Sequence, residues 1–230
     1  MKSSLVTLTD KKSVAAEAYR TLRTNVQFSS YDKVLKVITV TSSRPGEGKS
    51  TVASNLAITF AENGSKVLLI DSDLRRPTIH KVFKLPNSLG LVNAVLNPEL
   101  IDDIINIDVV PGVDIITSGV IPPNPSELLG SKKSFALLET MKERYDIIIM
   151  DAPPLLAVTD AQVLTTISDG TIIVAFHGVT KKDEITKAKD LLEKVNGNIL
   201  GVVLNGIPED DSSYYYYSYE EKKKKSTKKK

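Results

Sequence analysis

The chain is 230 residues long, 41% hydrophobic and without cysteine or tryptophan. That length suits one α/β domain with a sizeable core, and the missing cysteines exclude disulfides and thiolate metal sites. No apolar run approaches the roughly 18 residues that a membrane-spanning helix needs, and no N-terminal signal pattern is present, so a cytoplasmic location is expected. The net charge of +2 arises at the end of the chain. Residues 209–230 hold seven Lys against five acids, which leaves 23 basic and 23 acidic residues in the body. A neutral body argues against nucleic-acid binding.

Residues 13–28 predict a helix: Val14, Ala18, Leu22 and Val26 recur every four positions, and Ser13 can cap the start. "KVLKVITVTSS", from Lys33, predicts a buried strand in which Val34, Val37, Ile38 and Val40 are apolar. "RPGEG" breaks it, and "KSTVASNLAITFAENG" predicts a helix that stops at Asn63 and Gly64. "SKVLLIDSD" reads as a second continuous apolar strand, "VDIITSG", "YDIIIMDAPP", "GTIIVAFHG" and "ILGVVLNG" as further strands, and "KKDEITKAKDLLEKVNG" as a helix. "PGVDIITSGVIPPNPSELLG" is loop-rich, with prolines that read as terminators, and no internal repeat is visible. Strands apolar on both sides that alternate with helices predict a mostly parallel β-sheet flanked by helices, an α/β fold. The folded domain is expected over residues 1–208 and a flexible tail over 209–230.

"SSRPGEGKST" lies between a predicted strand and a predicted helix, the setting a phosphate-binding loop requires. Gly46 and Gly48 let the backbone curl so that successive N–H groups face one cavity, and the following helix adds the positive end of its dipole. Lys49 can reach the β- and γ-phosphates of a nucleotide, and the Ser50 hydroxyl can hold Mg²⁺. The candidate nucleotide-binding set is Gly46, Glu47, Gly48, Lys49, Ser50 and Thr51. One departure stands out: Ser43 occupies the position where the usual pattern begins with Gly. Asp151, at the end of "IIIMD", and Asp71 and Asp73, in "LLIDSD", also close apolar strands. Ligands of open α/β sheets gather at the carboxyl ends of strands, so the three motifs can converge there. One carboxylate could face Mg²⁺ and another accept a proton from an attacking hydroxyl or water. Spacing leaves open which does which.

These motifs, together with a terminal run of tyrosines, resemble the bacterial tyrosine kinases of capsule and exopolysaccharide assembly. The likeness is to the Gram-positive form, a cytoplasmic kinase activated by a separate membrane protein. The parts that carry it are "SRPGEGKS", "LLIDSDLRRP", "IIIMDAPP" and "YYYYSY". The resemblance implies a P-loop NTPase fold of the partition and septum-site ATPase type, with ATP and Mg²⁺ as cofactors. It implies that Lys49 binds phosphates, that Ser50, Asp73 and Asp151 organise Mg²⁺, and that Asp71 is the base toward a tyrosine hydroxyl. Glu17, Arg20 and Arg23, spaced i, i+3, i+6, match the pattern that joins neighbouring subunits of a ring in this family. Asn205, at a strand end, would contact adenine. The implied partners are a membrane activator acting through its cytoplasmic segment, further copies of the chain, and protein tyrosines; recruitment would bring the kinase to the inner face of the membrane.

The resemblance further implies that Tyr214, Tyr215, Tyr216, Tyr217 and Tyr219 are phosphoacceptors for the enzyme itself, in a kinase that regulates capsular polysaccharide synthesis or export. A flexible tail presents these phenols at high local concentration, within one chain or between ring neighbours. The competing reading is a partition- or septum-type ATPase switch whose tail anchors it to a partner or membrane. Those ATPases carry a signature Lys five residues before the phosphate-loop Lys, where this chain has Arg44. The terminal lysines either touch acidic surface or anionic lipid, or form a solvated end.

Overall fold

A computed structural model describes residues 5–29 and 35–208. The tyrosines from Tyr214 to Tyr219, and Val34, lie outside the described residues. The elements run α1 (Val6–Thr9), α2 (Val14–Phe28), β1 (Val37–Ser42), α3 (Lys49–Glu62), β2 (Val67–Asp71), α4 (Ile79–Phe83) and α5 (Leu91–Leu96). They continue through α6 (Ile101–Ile104), β3 (Asn106–Val110), β4 (Val113–Ile116), α7 (Pro125–Leu129) and α8 (Lys132–Arg144). The chain closes with β5 (Ile147–Asp151), α9 (Asp160–Thr166), β6 (Gly170–Phe176), α10 (Lys182–Glu193) and β7 (Ile199–Asn205).

Among the described residues the strands form one seven-stranded sheet in the order β3-β4-β2-β5-β1-β6-β7. Every neighbouring pair is parallel except β3 with β4. The central strands are buried along their whole length because both faces are covered. Alternate residues of each strand feed two cores, as the two-residue period of a strand demands. Leu68, Ile70, Ile116, Ile148 and Met150 pack under α5, α8, α9 and α10. Val67, Leu69, Ile115, Ile149, Ile38 and Val40 pack under α2, α3 and α4. Asp71 follows Ile70, and Asp151 follows Met150, so both carboxylates fall on the α3 side of the sheet by the same alternation.

Several expectations change. The helix at residues 14–28 exists, and Ser13 caps it by accepting from the Ala16 N–H at 3.2 Å. Its buried face, however, carries Ala16 and Val26, with Tyr19 and Leu22 partly buried, while Val14 and Ala18 are exposed. A spacing of four drifts about 40° per step against a 3.6-residue turn, so a stripe spanning three steps cannot stay on one face. The first strand begins at Val37, later than the apolar run suggests. The proline-rich segment is not only loop: Pro125 stands in the first turn of α7, where its missing N–H costs nothing. Strand β3, which the pattern did not signal, is half exposed and antiparallel.

Leu69 is fully buried at the sheet centre, whereas Leu204 on the edge strand is 48% exposed. Leu69→Ala is expected to cost about 2–5 kcal/mol of unfolding free energy, and Leu204→Ala no more than about 0.5 kcal/mol. Urea denaturation of the two variants would check this; equal losses would contradict the assignment of the core.

Candidate active site

The loop between β1 and α3 is held on three sides. Gly48 caps α3 with φ +89°, and a Cβ there would lie 2.0 Å from Asn205 Nδ2, so only glycine lets the loop approach β7 this closely. The Asn205 amide donates to the Glu47 carbonyl at 3.1 Å. The Glu47 carboxylate accepts from the Arg44 N–H at 2.8 Å and from the Thr180 hydroxyl. Arg44 also forms an ion pair with Glu184 of α10 at 3.0 Å. Glu47 thus spends its buried side chain on bracing the loop, and Asn205, expected beside adenine, spends its amide the same way.

Lys49 opens α3 and points its ammonium at the strand ends. Its Nζ lies 2.8 Å from Asp73 Oδ2 and 3.4 Å from Asp151 Oδ1, and 3.3 Å from Ser50 Oγ. The register of β2 against β5 pairs Asp71 directly with Asp151. Asp71 Oδ2 accepts from the N–H groups of Thr78 and Ile79, both at 3.0 Å. Asp73 Oδ1 accepts from the N–H groups of Arg75 at 3.3 Å and Arg76 at 3.0 Å. The segment after β2 therefore wraps around two carboxylates and fixes both. Thr78, which carried no signal in the sequence, donates its hydroxyl to Ser50 Oγ at 2.7 Å.

The charges compete. Burial works against the Lys49 ammonium, but Asp151, Asp73 and Asp71 outweigh it and raise its pKa. Burial, reinforced by the Asp151 charge, pushes the Asp71 carboxyl up to about 8, against the Ile79 N–H and Lys49. Burial also raises Asp151, although Lys49 pulls the other way. The raised Asp71 and Asp151 carboxyls show that one ammonium does not balance the acidic groups packed around it, which invites a further cation.

Two oxygens mark where ligand atoms fit. Asp71 Oδ1 and Asp151 Oδ2 are buried and have no hydrogen-bond partner among the described residues. Those residues hold no ready-made cage of three or more metal-ligating side chains. Mg²⁺ asks for less: it takes a few hard oxygen ligands and keeps waters and phosphate oxygens. Asp151, Asp73 and Ser50 fit that demand, although Asp73 has both oxygens engaged and must release Lys49 to serve.

The expected residues Lys49, Ser50, Asp71, Asp73 and Asp151 thus meet at one sheet edge. Glu17, Arg20 and Arg23 do not join them. On α2, Arg20 pairs with Glu17 at 3.0 Å and reaches Glu62 at 3.6 Å. Arg23 turns inward and donates to the Thr59 carbonyl at 3.1 Å. Sequence reading also missed a brace beneath the site: Arg75 grips the fully buried Asp160 through two bonds, at 2.9 and 3.1 Å, and the Ser126 hydroxyl donates to the same carboxylate. Arg75 and Asp160 are 85 residues apart, so no local pattern joins them.

Comparison with known proteins places this site in context. Residues 35–196 match the AAA domain family. The chain is 44% identical over 206 residues to the tyrosine-protein kinase YwqD of Bacillus subtilis, covering 90% of this chain and 87% of that one. It is 41% identical to the putative tyrosine-protein kinase CapB of Staphylococcus aureus, covering 86% and 87%. Among solved structures, the chimerical protein CapA2B2 superposes with a TM-score of 0.87 at 40% identity, covering 91% of this chain and 92% of that one. The kinase domain of the Escherichia coli tyrosine kinase ETK gives 0.85 at 35%, covering 89% and 80%. The septum site-determining protein MinD of Pyrococcus horikoshii, complexed with Mg-ADP, gives 0.63 at 24% over 77% and 75%, a likeness of fold. Phosphate loop, paired strand-end carboxylates and these relatives agree: the chain belongs to the bacterial protein-tyrosine kinases of the capsule and exopolysaccharide biosynthesis family.

Proposed function

We propose that the enzyme phosphorylates the tyrosine cluster of its own tail, with Asp71 as base, and that transfer runs between neighbours in a ring. The observation that carries this reading is the state of the Asp71 carboxylate. One oxygen is fixed by two backbone N–H groups, and the other is buried without a partner among the described residues, within reach of the Lys49 charge. A phenol brought to that oxygen can pass its proton to Asp71 as its own oxygen attacks the γ-phosphorus of ATP; the bond to the β-phosphate oxygen breaks and ADP leaves. A carboxyl pushed up to about 8 makes, once ionised, a stronger proton acceptor than an ordinary Asp, and transfer is expected to rise with pH up to that range. Lys49 neutralises charge on the β- and γ-oxygens, and the backbone of Gly46 to Thr51 cradles the phosphates. Ser50, Asp73 and Asp151 would hold Mg²⁺, which supplies charge neutralisation when bound.

Among the described residues no helix is long and apolar enough to cross a membrane. A separate membrane protein would recruit and activate the kinase through its cytoplasmic segment, and tail phosphorylation would regulate capsular polysaccharide synthesis or export. Each phosphate adds roughly −1.5 to −2 charge, so a fully modified tail would repel its neighbours and loosen the ring. Glu17, more than half exposed on α2, is the residue of the interface pattern best placed to meet another copy.

With ATP and Mg²⁺, Lys49→Met is expected to lose transfer altogether. Asp71→Asn should keep nucleotide binding, read by a fluorescent analogue, while its transfer rate falls by about 10²- to 10⁴-fold. Label should map to Tyr214 to Tyr219; robust hydrolysis with unlabelled tyrosines would overturn the proposal. Mixing a Lys49→Met chain with a chain whose five tail tyrosines are Phe tests the route. Label on the Lys49→Met chain establishes transfer between copies, and its absence rules out the neighbour arrangement. Glu17→Ala should shift the particle-size distribution toward smaller species by light scattering.

A further inference from the structure

Directly after Asp73 the chain runs from Leu74 to Pro98 without one acidic residue. Its cations are Arg75, Arg76, Lys81 and Lys84, with His80 between them. Arg75 is committed to Asp160. Arg76, Lys81 and Lys84 are exposed, and their side chains pair with no described residue.

These three cations are rigidly mounted on the catalytic segment. The Arg76 N–H donates to Asp73. Thr78 and Ile79, whose N–H groups hold Asp71, begin α4, and the Lys81 N–H donates to the Thr78 carbonyl at 3.0 Å. The inner side of the segment is anchored by the fully buried Ile79, with Val82, Phe83 and Leu85 packed on the same core. Its outer side therefore presents Lys81 less than one helical turn, and Lys84 at the helix end about one and a half turns, from the residues that grip the proposed base. Such a surface is unpaired positive charge next to a site that must receive a phenol.

The chain itself carries the complement. Glu209, Asp210 and Asp211 precede the tyrosine cluster, and Glu220 and Glu221 follow it directly. Asp211 and Tyr214 are three residues apart, about 10 Å in an extended chain. One helical turn plus a lysine side chain spans a distance on the order of 10 Å as well. We propose that Arg76, Lys81 and Lys84 form a docking surface for acidic residues that flank an acceptor tyrosine, and that its occupant is residues 209–221 of a second copy of this chain. This rests on the reading of the tail as substrate. The terminal lysines then act as a boundary. The same surface repels them, so the acidic window with its tyrosines is held while residues 222–230 stay outside it.

The full-length enzyme with two added peptides tests this. One peptide spans residues 209–221; in the other, Glu209, Glu220 and Glu221 become Gln, and Asp210 and Asp211 become Asn. The neutral peptide is expected to show a KM about tenfold higher with kcat little changed, and the gap should close as salt rises. The pair Lys81→Glu and Lys84→Glu should reverse the preference toward a peptide with Lys at the acidic positions. The milder Lys81→Gln and Lys84→Gln should abolish it, with unchanged nucleotide binding as proof of folding. Transfer to both peptides with equal KM overturns the docking surface and leaves the tail reading intact. No transfer to either peptide overturns the tail reading and the docking surface with it. A variant that loses binding to anionic vesicles while its peptide KM stays put would assign the surface to lipid instead.

Discussion

One ammonium group facing three buried carboxylates governs this molecule. Lys49 stands at the start of α3, and Asp71 and Asp151 end two adjacent strands in register. Neighbouring parallel strands lie about 4.8 Å apart, so the sheet forces two carboxylates together that would otherwise repel. Asp73, two residues beyond, adds a third. Without Lys49 the edge would hold uncompensated buried charge, which is costly. With it, the Asp71 and Asp151 carboxyls are still held above their ordinary range, and a divalent cation is what would relieve them. Structure and chemistry are therefore the same constraint seen twice.

The rest of the fold keeps that arrangement in place. The six parallel strands deliver their carboxyl ends to one edge. The segment from Asp73 to Ile79 donates four backbone N–H groups to Asp71 and Asp73, and Arg75 ties it down through Asp160 at the start of α9. Electrostatic preorganisation of this kind does not have to be assembled when the substrate arrives. Its partial incompleteness, two carboxylate oxygens left unpartnered, marks where ligand atoms belong.

Much of this was legible in the sequence. Gly46, Gly48, Lys49 and Ser50 form a local pattern between an apolar strand and a helix, and local patterns need no knowledge of packing. The strand-end carboxylates were legible because continuous apolar runs announce central strands. What escaped depends on pairings distant in the chain: the register that sets Asp71 against Asp151, the grip of Arg75 on Asp160, and the Asn205 amide on the phosphate loop. Helix α8 escaped for another reason. Its buried Leu137, Leu138 and Met141 are too few to trace a stripe among charged neighbours. The stripe assigned to α2 misled because four-residue spacing imitates a helical face over one turn and loses it over three. The helix itself survives because Ser13 caps it and tertiary contacts hold Ala16 and Val26.

The contact between Gly48 and Asn205 joins groups far apart in the chain, since the amide and the Glu47 carbonyl it meets are 158 residues apart. During synthesis the N-terminal part of a chain emerges first. The phosphate loop therefore leaves the ribosome long before the strand that closes over it, and it stays unlatched until β7 is complete. A chain that stops short of β7 would carry Lys49, Asp71, Asp73 and Asp151 yet lack this latch. Completion of β7 is thus built into the architecture of its nucleotide site.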